Sequence, residues 1–481
     1  MTENDGMNDL TPGSGEDPPH RPRPQTLALF IGIALIVATL ANGAGVYLRK
    51  LGIIEPEAYR TYWALQCNGI TQGNPITGTG EGCSTYVKEN PPHHLSREDI
   101  LVMWRIARSV YETPAREIPL KLAKDALGVA VIVLSAWLIM RRKTAWPAAQ
   151  KAWPLLLLLS YVICSFIASW AAHGTMTAMA GLRPFMFLVM ALVCGWLAPH
   201  MAVVAQCLAV LLGTEALLVT AEMFNVKQMI GHVVAILPSG SYVLATRASG
   251  TLILPNTLGI FAATGLAFYY TFSRTRSYLP IVAGVALMLI LAGGSATGLL
   301  CMLYFLFFIA IERIEPQRRR FAMVAGILAC LAVIPALPVI TGRPGLFDSI
   351  VGEGQRLDVF RYALADKNLL ELLFGRGIGL NTNLALNLLN QAPPDALAAA
   401  GTLIPPPTDS TVTSLIVQIG ILGTLLFYGS LLWAALHDPG ARMFYVIIVL
   451  CSLTLNIPEV FPVNLLLGIV LARSLTLTRS K

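Results

Sequence analysis

Charged residues are scarce in this chain: Lys, Arg, Asp and Glu together make up 13% of its 481 residues. A soluble domain usually carries about 25%. With 55% hydrophobic residues and a mean hydropathy of +0.65, that shortage excludes an ordinary water-soluble fold. The net charge of +7 is no sign of a nucleic-acid partner, because the basic residues stand at the ends of apolar runs, where membrane orientation puts them. Other features are missing too. The adjacent His93-His94 has no further ligands at metal-binding spacing. GGSATG at 293–298 lacks the lysine of a phosphate loop and is read as a point of close helix packing. FGRGIG at 374–379 has no βαβ unit around it, so it is read as a turn rather than a dinucleotide fingerprint. The apolar run 25–48 is too long for a signal-peptide core and has no small-residue cleavage site leading into a soluble domain. No internal repeat is visible.

What is present is a series of apolar stretches of bilayer-spanning length. They fall near 25–48, 126–140, 153–171, 184–198, 201–220, 257–272, 278–292, 296–311, 321–340, 412–436, 442–456 and 463–476. The expected fold is all-α, a polytopic membrane helix bundle of about 12 transmembrane helices. The expected organisation is a disordered polar tail (1–24), a first transmembrane helix (25–48), a long outward loop (49–125), a transmembrane bundle (126–340), a second large outward loop (341–411) and C-terminal transmembrane helices (412–481).

Orientation follows from the short connections. One set carries Arg141, Arg142, Lys143 and Lys151, then Arg274 and Arg276, then Arg313, Arg318, Arg319 and Arg320, then Arg442. The opposite set, near 172–182, 293–295 and 457–462, holds no Lys or Arg. The positive-inside rule places the basic set and both termini in the cytoplasm. The loop 49–125 is also basic, but it exceeds the roughly 60 residues over which the rule counts charge. Within it, Ser96-Arg97-Glu98-Asp99 resembles a capping box opening an amphipathic helix through Ile100, Met103, Trp104, Ala107, Val110 and Tyr111. Packing over the bundle and lying on the membrane surface are both open to that helix.

Most of the eight cysteines lie inside apolar segments, where Cys behaves as a small hydrophobe. Cys67 and Cys83 share one polar, Gly-rich outward loop. Their separation suits a disulfide in an oxidising compartment, against the alternative of two free thiols.

Four features carry candidate chemistry. Arg247 stands in RASGTLILPNTLG, ahead of Pro255-Asn256 and a new span. Arg356 and Arg361 precede FGRGIG, which contains Arg376. Asp409-Ser410 opens the tenth span, with Gly420 and Gly423 inside it. Arg183 in Gly181-Leu182-Arg183-Pro184 marks the outer end of the fourth span. Charges beside apolar helices are costly unless paired or used. The arginine fork matches phosphate oxygens in pairs, and a carboxylate among arginines can accept a hydroxyl proton. Such a set suits displacement of a diphosphate from a sugar carbon. Each residue also has a plainer use. Arg247 can snorkel, Arg356 and Arg361 can form loop ion pairs, Arg183 can anchor topology, and Asp409 can cap a helix.

The order of these parts resembles the O-antigen polymerase and O-antigen ligase superfamily of bacterial inner membranes. The matching parts are the R…G…PN-LG stretch entering a mid-chain helix and the outward loop with R…R then G-x-G-x-G. A late helix follows that opens on Asp409-Ser410 and carries Gly420-Ile-Leu-Gly423. The closing NIPEVFPVNLLLGIV is also similar to polymerase C-termini. The resemblance spans roughly 180–470. Ligases of the superfamily usually have His where this chain has Asp409, which favours a polymerase. It implies a metal-independent glycosyltransferase with no cofactor, acting at the periplasmic face on polyprenyl-diphosphate-linked oligosaccharide donor and acceptor. Asp409, Arg247, Arg356 and Arg361 would then be catalytic, with Arg183, Asn256, Arg376 and Ser410 binding substrate. Membrane lipid, a flippase and a chain-length regulator are the implied partners. The alternatives are a ligase transferring glycan to lipid A core or protein, a lipid-linked sugar flippase or secondary transporter, and a non-catalytic scaffold of an envelope complex.

Overall fold

The computed structural model describes residues 24–51, 53, 118–142, 149–224, 231–236, 242–246, 248–314, 318, 360–361, 364, 367–380 and 410–476. Helix occurs at every expected span within those residues; the span near 321–340 lies outside them. The first helices are α1 (Pro24–Lys50), α2 (Ile118–Arg142), α3 (Ala149–His173), α4 (Thr175–Leu182), α5 (Met186–Val193) and α6 (Met201–Phe224). A hairpin of β1 (Gly231–Ile236) and β2 (Tyr242–Thr246) follows, then α7 (Pro255–Phe272), α8 (Leu279–Ala292), α9 (Ala296–Glu312) and α10 (Leu369–Phe374). The chain closes with α11 (Thr411–His437), α12 (Arg442–Ser452) and α13 (Val463–Thr476).

Among the described residues five stretches are long and apolar enough to cross a membrane: Pro24–Leu48, Leu122–Arg141, Ala152–His173, Thr177–Phe224 and Thr411–His437. The fourth of these is interrupted by tight turns at Arg183–Phe185 and Cys194–His200, each holding a proline that cannot donate to a helix ladder. Large apolar side chains such as Leu217 and Leu425 stand uncovered on the outside of these helices. Water makes that arrangement costly and acyl chains do not. The chain is a multi-pass membrane protein.

The core is built around α7. Its sequence has no charge, Pro255 fits the first turn without losing a helix bond, and every residue from Thr257 to Tyr270 is buried. It packs against α6, α8, α9 and α12. The α7–α9 contact is close because both sides are small: a Cβ on Gly298 would stand 2.9 Å from the Gly259 carbonyl oxygen. GGSATG therefore serves helix packing. On the other side α13 lies against α5.

Two features depart from the sequence expectation. The all-α fold gains a two-stranded antiparallel hairpin, with Gly231 paired to Thr246 and Ile236 to Tyr242. Helix α2 begins at Ile118, inside the segment read as loop to 125. The helix outlasts its apolar run because Asp125 finds a cation, Arg183, at 2.6 Å.

The two ends of the bundle differ. At one end Tyr270 donates to Glu312, with the Arg276 guanidinium 4.6 Å from the Tyr270 ring. Asp438 meets Arg473 there at 3.7 Å. The opposite end, where α5, α7, α11 and α13 begin, holds a cavity.

Candidate functional site

The cavity measures about 320 Å³, at the small end of the range of roughly 300–1,000 Å³ typical of ligand pockets. Arg183 and Asp125 meet in its wall at 2.6 Å, and Lys124, Glu459, Asn456 and Asn464 also line it. Leu252, Ile253 and Leu254 form a lip ahead of α7, and Thr257 and Asn42 complete the polar lining. Arg183 uses Nε for Asp125. Among the described residues nothing bonds its two terminal nitrogens, which are the pair that grips a phosphate or carboxylate. The Asn42 side chain is only 7% exposed, and its Oδ1 accepts no hydrogen bond among the described residues. A buried acceptor left in that state costs about 1–3 kcal/mol unless a ligand supplies the donor.

Two lateral devices hold this lining. One joins the start of α11 to the turn before α13. The Thr411 hydroxyl donates to the Leu455 carbonyl at 2.6 Å and accepts from the Ile457 amide at 2.9 Å. Asn456 and Gln418 both donate to the Ser414 hydroxyl, at 3.0 and 2.8 Å. The other device is a pair of carboxylates two turns apart on one face of α6. Glu222 accepts from the Ser249 amide at 3.1 Å and the Gly250 amide at 2.8 Å. Glu215 accepts from the Thr251 amide at 3.1 Å and from its hydroxyl. Both acids are buried. Together they fix the turn that leads into the lip residues and α7.

A third assembly lies beside the cavity. Helix α11 breaks at Gly420, whose φ of 68° and ψ of −177° are non-helical and open almost only to glycine. The last four carbonyls before the break take partners from outside the helix. Ile416 accepts from Lys367 Nζ at 3.2 Å and Val417 from the Arg376 amide at 2.8 Å. Gln418 accepts from the Gly377 amide at 3.2 Å and Ile419 from the Tyr161 hydroxyl at 2.9 Å. The FGRGIG turn thus plugs the break in α11. It is also tied to α3, because Ser169 donates to the Ile378 carbonyl at 2.6 Å and His173 to the Arg376 carbonyl at 2.9 Å. Gly379, at φ 96°, lies where a Cβ would meet the Thr177 carbonyl oxygen at 1.9 Å.

Comparison with family models, with curated proteins and with solved structures found no match.

Of the residues singled out by sequence, Arg183 lines the cavity. Ser410 is the N-cap residue of α11, although its side chain caps no amide of the first turn. Asn256 is the second residue of α7 and half-buried; its neighbour Thr257, not Asn256, lines the cavity. Arg376 lies outside the lining and pairs with Glu371 at 2.9 Å. Arg361 is exposed and also outside the lining. Asp409, Arg247, Arg356, Cys67 and Cys83 lie outside the described residues. Among the described residues no group of three His, Cys, Asp or Glu could hold a metal ion. Sequence reasoning singled out none of Asn42, Asp125, Glu215 and Glu222. Two acids seven residues apart in an otherwise apolar helix were the available signal for the last pair.

Proposed function

We propose that this protein is a polysaccharide polymerase of a bacterial inner membrane, joining polyprenyl-diphosphate-linked repeat units at the periplasmic face, with both termini cytoplasmic. One observation carries the reading. The Arg183 element, the residues entering α7 and, through Thr411 and Leu455, the start of α11 converge on one cavity, apolar with a few polar groups, at one end of the bundle. These are the parts that sequence analysis had picked out separately.

In this reading the terminal nitrogens of Arg183, together with Arg247, hold the donor diphosphate. Arg356 and Arg361 add positive charge from the large loop. Asn42, Asn456 and Asn464 receive sugar hydroxyls, with the Asn42 Oδ1 as acceptor. Asp409, bonded directly to Ser410, takes the proton from the acceptor hydroxyl. The new bond forms between that oxygen and the anomeric carbon as the bond from the same carbon to the diphosphate oxygen breaks. The electron pair leaves with the lipid diphosphate, and the anomeric centre inverts. The Gly420 break speaks against a transporter, in which unwound carbonyls commonly coordinate an ion. Here all four are occupied by the protein's own donors.

Deleting the gene and sizing the surface polysaccharide tests the activity. A polymerase predicts loss of long chains with single repeat units retained. Polymer stranded on its lipid carrier would mean a ligase instead, and units trapped inside a flippase. Topology is checked alongside it: reporters fused at Arg319 and Gln391 should give opposite signals, and identical signals would overturn the sidedness.

A further inference from the structure

The segment 341–411, ahead of α11, reads from sequence as wholly outside the membrane, yet part of it behaves otherwise. Helix α10 leaves Leu369 70%, Leu370 67% and Phe374 51% exposed. The turn after it bonds Val417 and Gln418, six and seven residues into α11. At 1.5 Å per residue those carbonyls lie about 10 Å along a helix that crosses a core roughly 30 Å thick. The same turn bonds Ser169 of α3, which exposes Ile163, Ile167 and Trp170 on its outer face. Helix α11 likewise exposes Leu422 and Leu425 just past the break.

We infer that residues 369–374 form a re-entrant turn immersed in acyl chains, in the leaflet that holds the start of α11. Three physical requirements of that position are met. Irregular backbone at membrane depth must be satisfied internally. The amides of Gly375, Arg376, Gly377, Gly379 and Leu380 all have protein acceptors. Charge must be paired, and Arg376 meets Glu371 while Lys367 bonds the Ile416 carbonyl. Apolar surface must be continuous with the rest of the lipid-facing belt, and α3 and α11 supply it on either side. The inference does not depend on the enzymatic reading.

The test uses the full-length wild-type protein in vesicles of phosphatidylethanolamine and phosphatidylglycerol. A phospholipid with a diazirine in its acyl chain is photolysed and the adducts are mapped by mass spectrometry. Adducts are expected on Leu369, Leu370 or Phe374 at yields comparable to those on Ile163–Trp170 and Leu422–Leu425. Labelling of the two spanning helices with none on 369–374 would overturn the inference. Hydroxyl-radical footprinting of the same vesicles gives an independent readout. Protection of those three side chains is expected, and oxidation to the level of a water-exposed loop would equally overturn it.

Discussion

Gly420→Ala is expected to destabilise the protein by about 4 kcal/mol or more, the range reserved for a change that breaks a specific device. Two costs combine. The backbone at Gly420 sits where an L-residue is strained by about 1–3 kcal/mol. The new Cβ would also stand 2.2 Å from the Leu373 carbonyl oxygen, so the turn that plugs the break must move. Its hydrogen bonds to Val417 and Gln418 then weaken, each worth about 0.5–1.5 kcal/mol. Gly429→Ala is the matched control, since it lies in the same helix with nothing within 4 Å of its added Cβ. It should be neutral or stabilising by up to about 1 kcal/mol. Thermal unfolding of both variants in one detergent separates them. Equal stability would mean that the break and the turn are not coupled.

Asp409→Asn is expected to slow polymerisation by about 10²–10⁴-fold, the usual contribution of a general base, while leaving folding intact. The plainer use of Asp409 was as a helix cap. Ser410 is the N-cap residue of α11 and its side chain bonds no first-turn amide, so the test has to separate capping from proton transfer. Asn keeps the size of the side chain and caps a helix as well as Asp does, but it is neutral and cannot take the proton. Chain length made by membranes carrying the variant, at matched protein level, is the measurement. A normal rate would remove Asp409 from the proposed chemistry.

Hydrophobic pattern made the helices legible, because a segment surrounded by lipid must be apolar along its whole length. The motif glycines were legible as motifs: Gly420 and the FGRGIG turn both stood out. Their mutual contact did not, since the Arg376 and Gly377 amides meet the Val417 and Gln418 carbonyls only once the chain has folded, and the α3 residues that fasten both lie more than 200 residues away in sequence. Asn42 and Asp125 were invisible for a similar reason. Each is an ordinary polar residue at a helix position, and only the fold brings them to Arg183. The hairpin was hidden by ambiguity. GHVVAI and YVLAT are short β-branched runs around a Pro-Ser-Gly turn, a strand signal, but in a chain of apolar helices such runs do not separate from helix by periodicity.

The paired acids of α6 bear on how the chain is made. Translocon-mediated insertion charges a penalty of about 2.5–3.5 kcal/mol for an acidic residue at the centre of a lone helix. Glu215 and Glu222 are settled in the finished protein by amides of residues 249–251, which leave the ribosome after α6 does. Until those residues arrive, α6 carries two carboxylates without the turn that donates to them. The segment from α6 to the start of α7 is thus the smallest piece of the nascent chain in which these charges are solvated by protein. Glu215, well inside the helix, is the acid that couples insertion of α6 to synthesis of residue 251, whereas Glu222 lies two residues from the helix end.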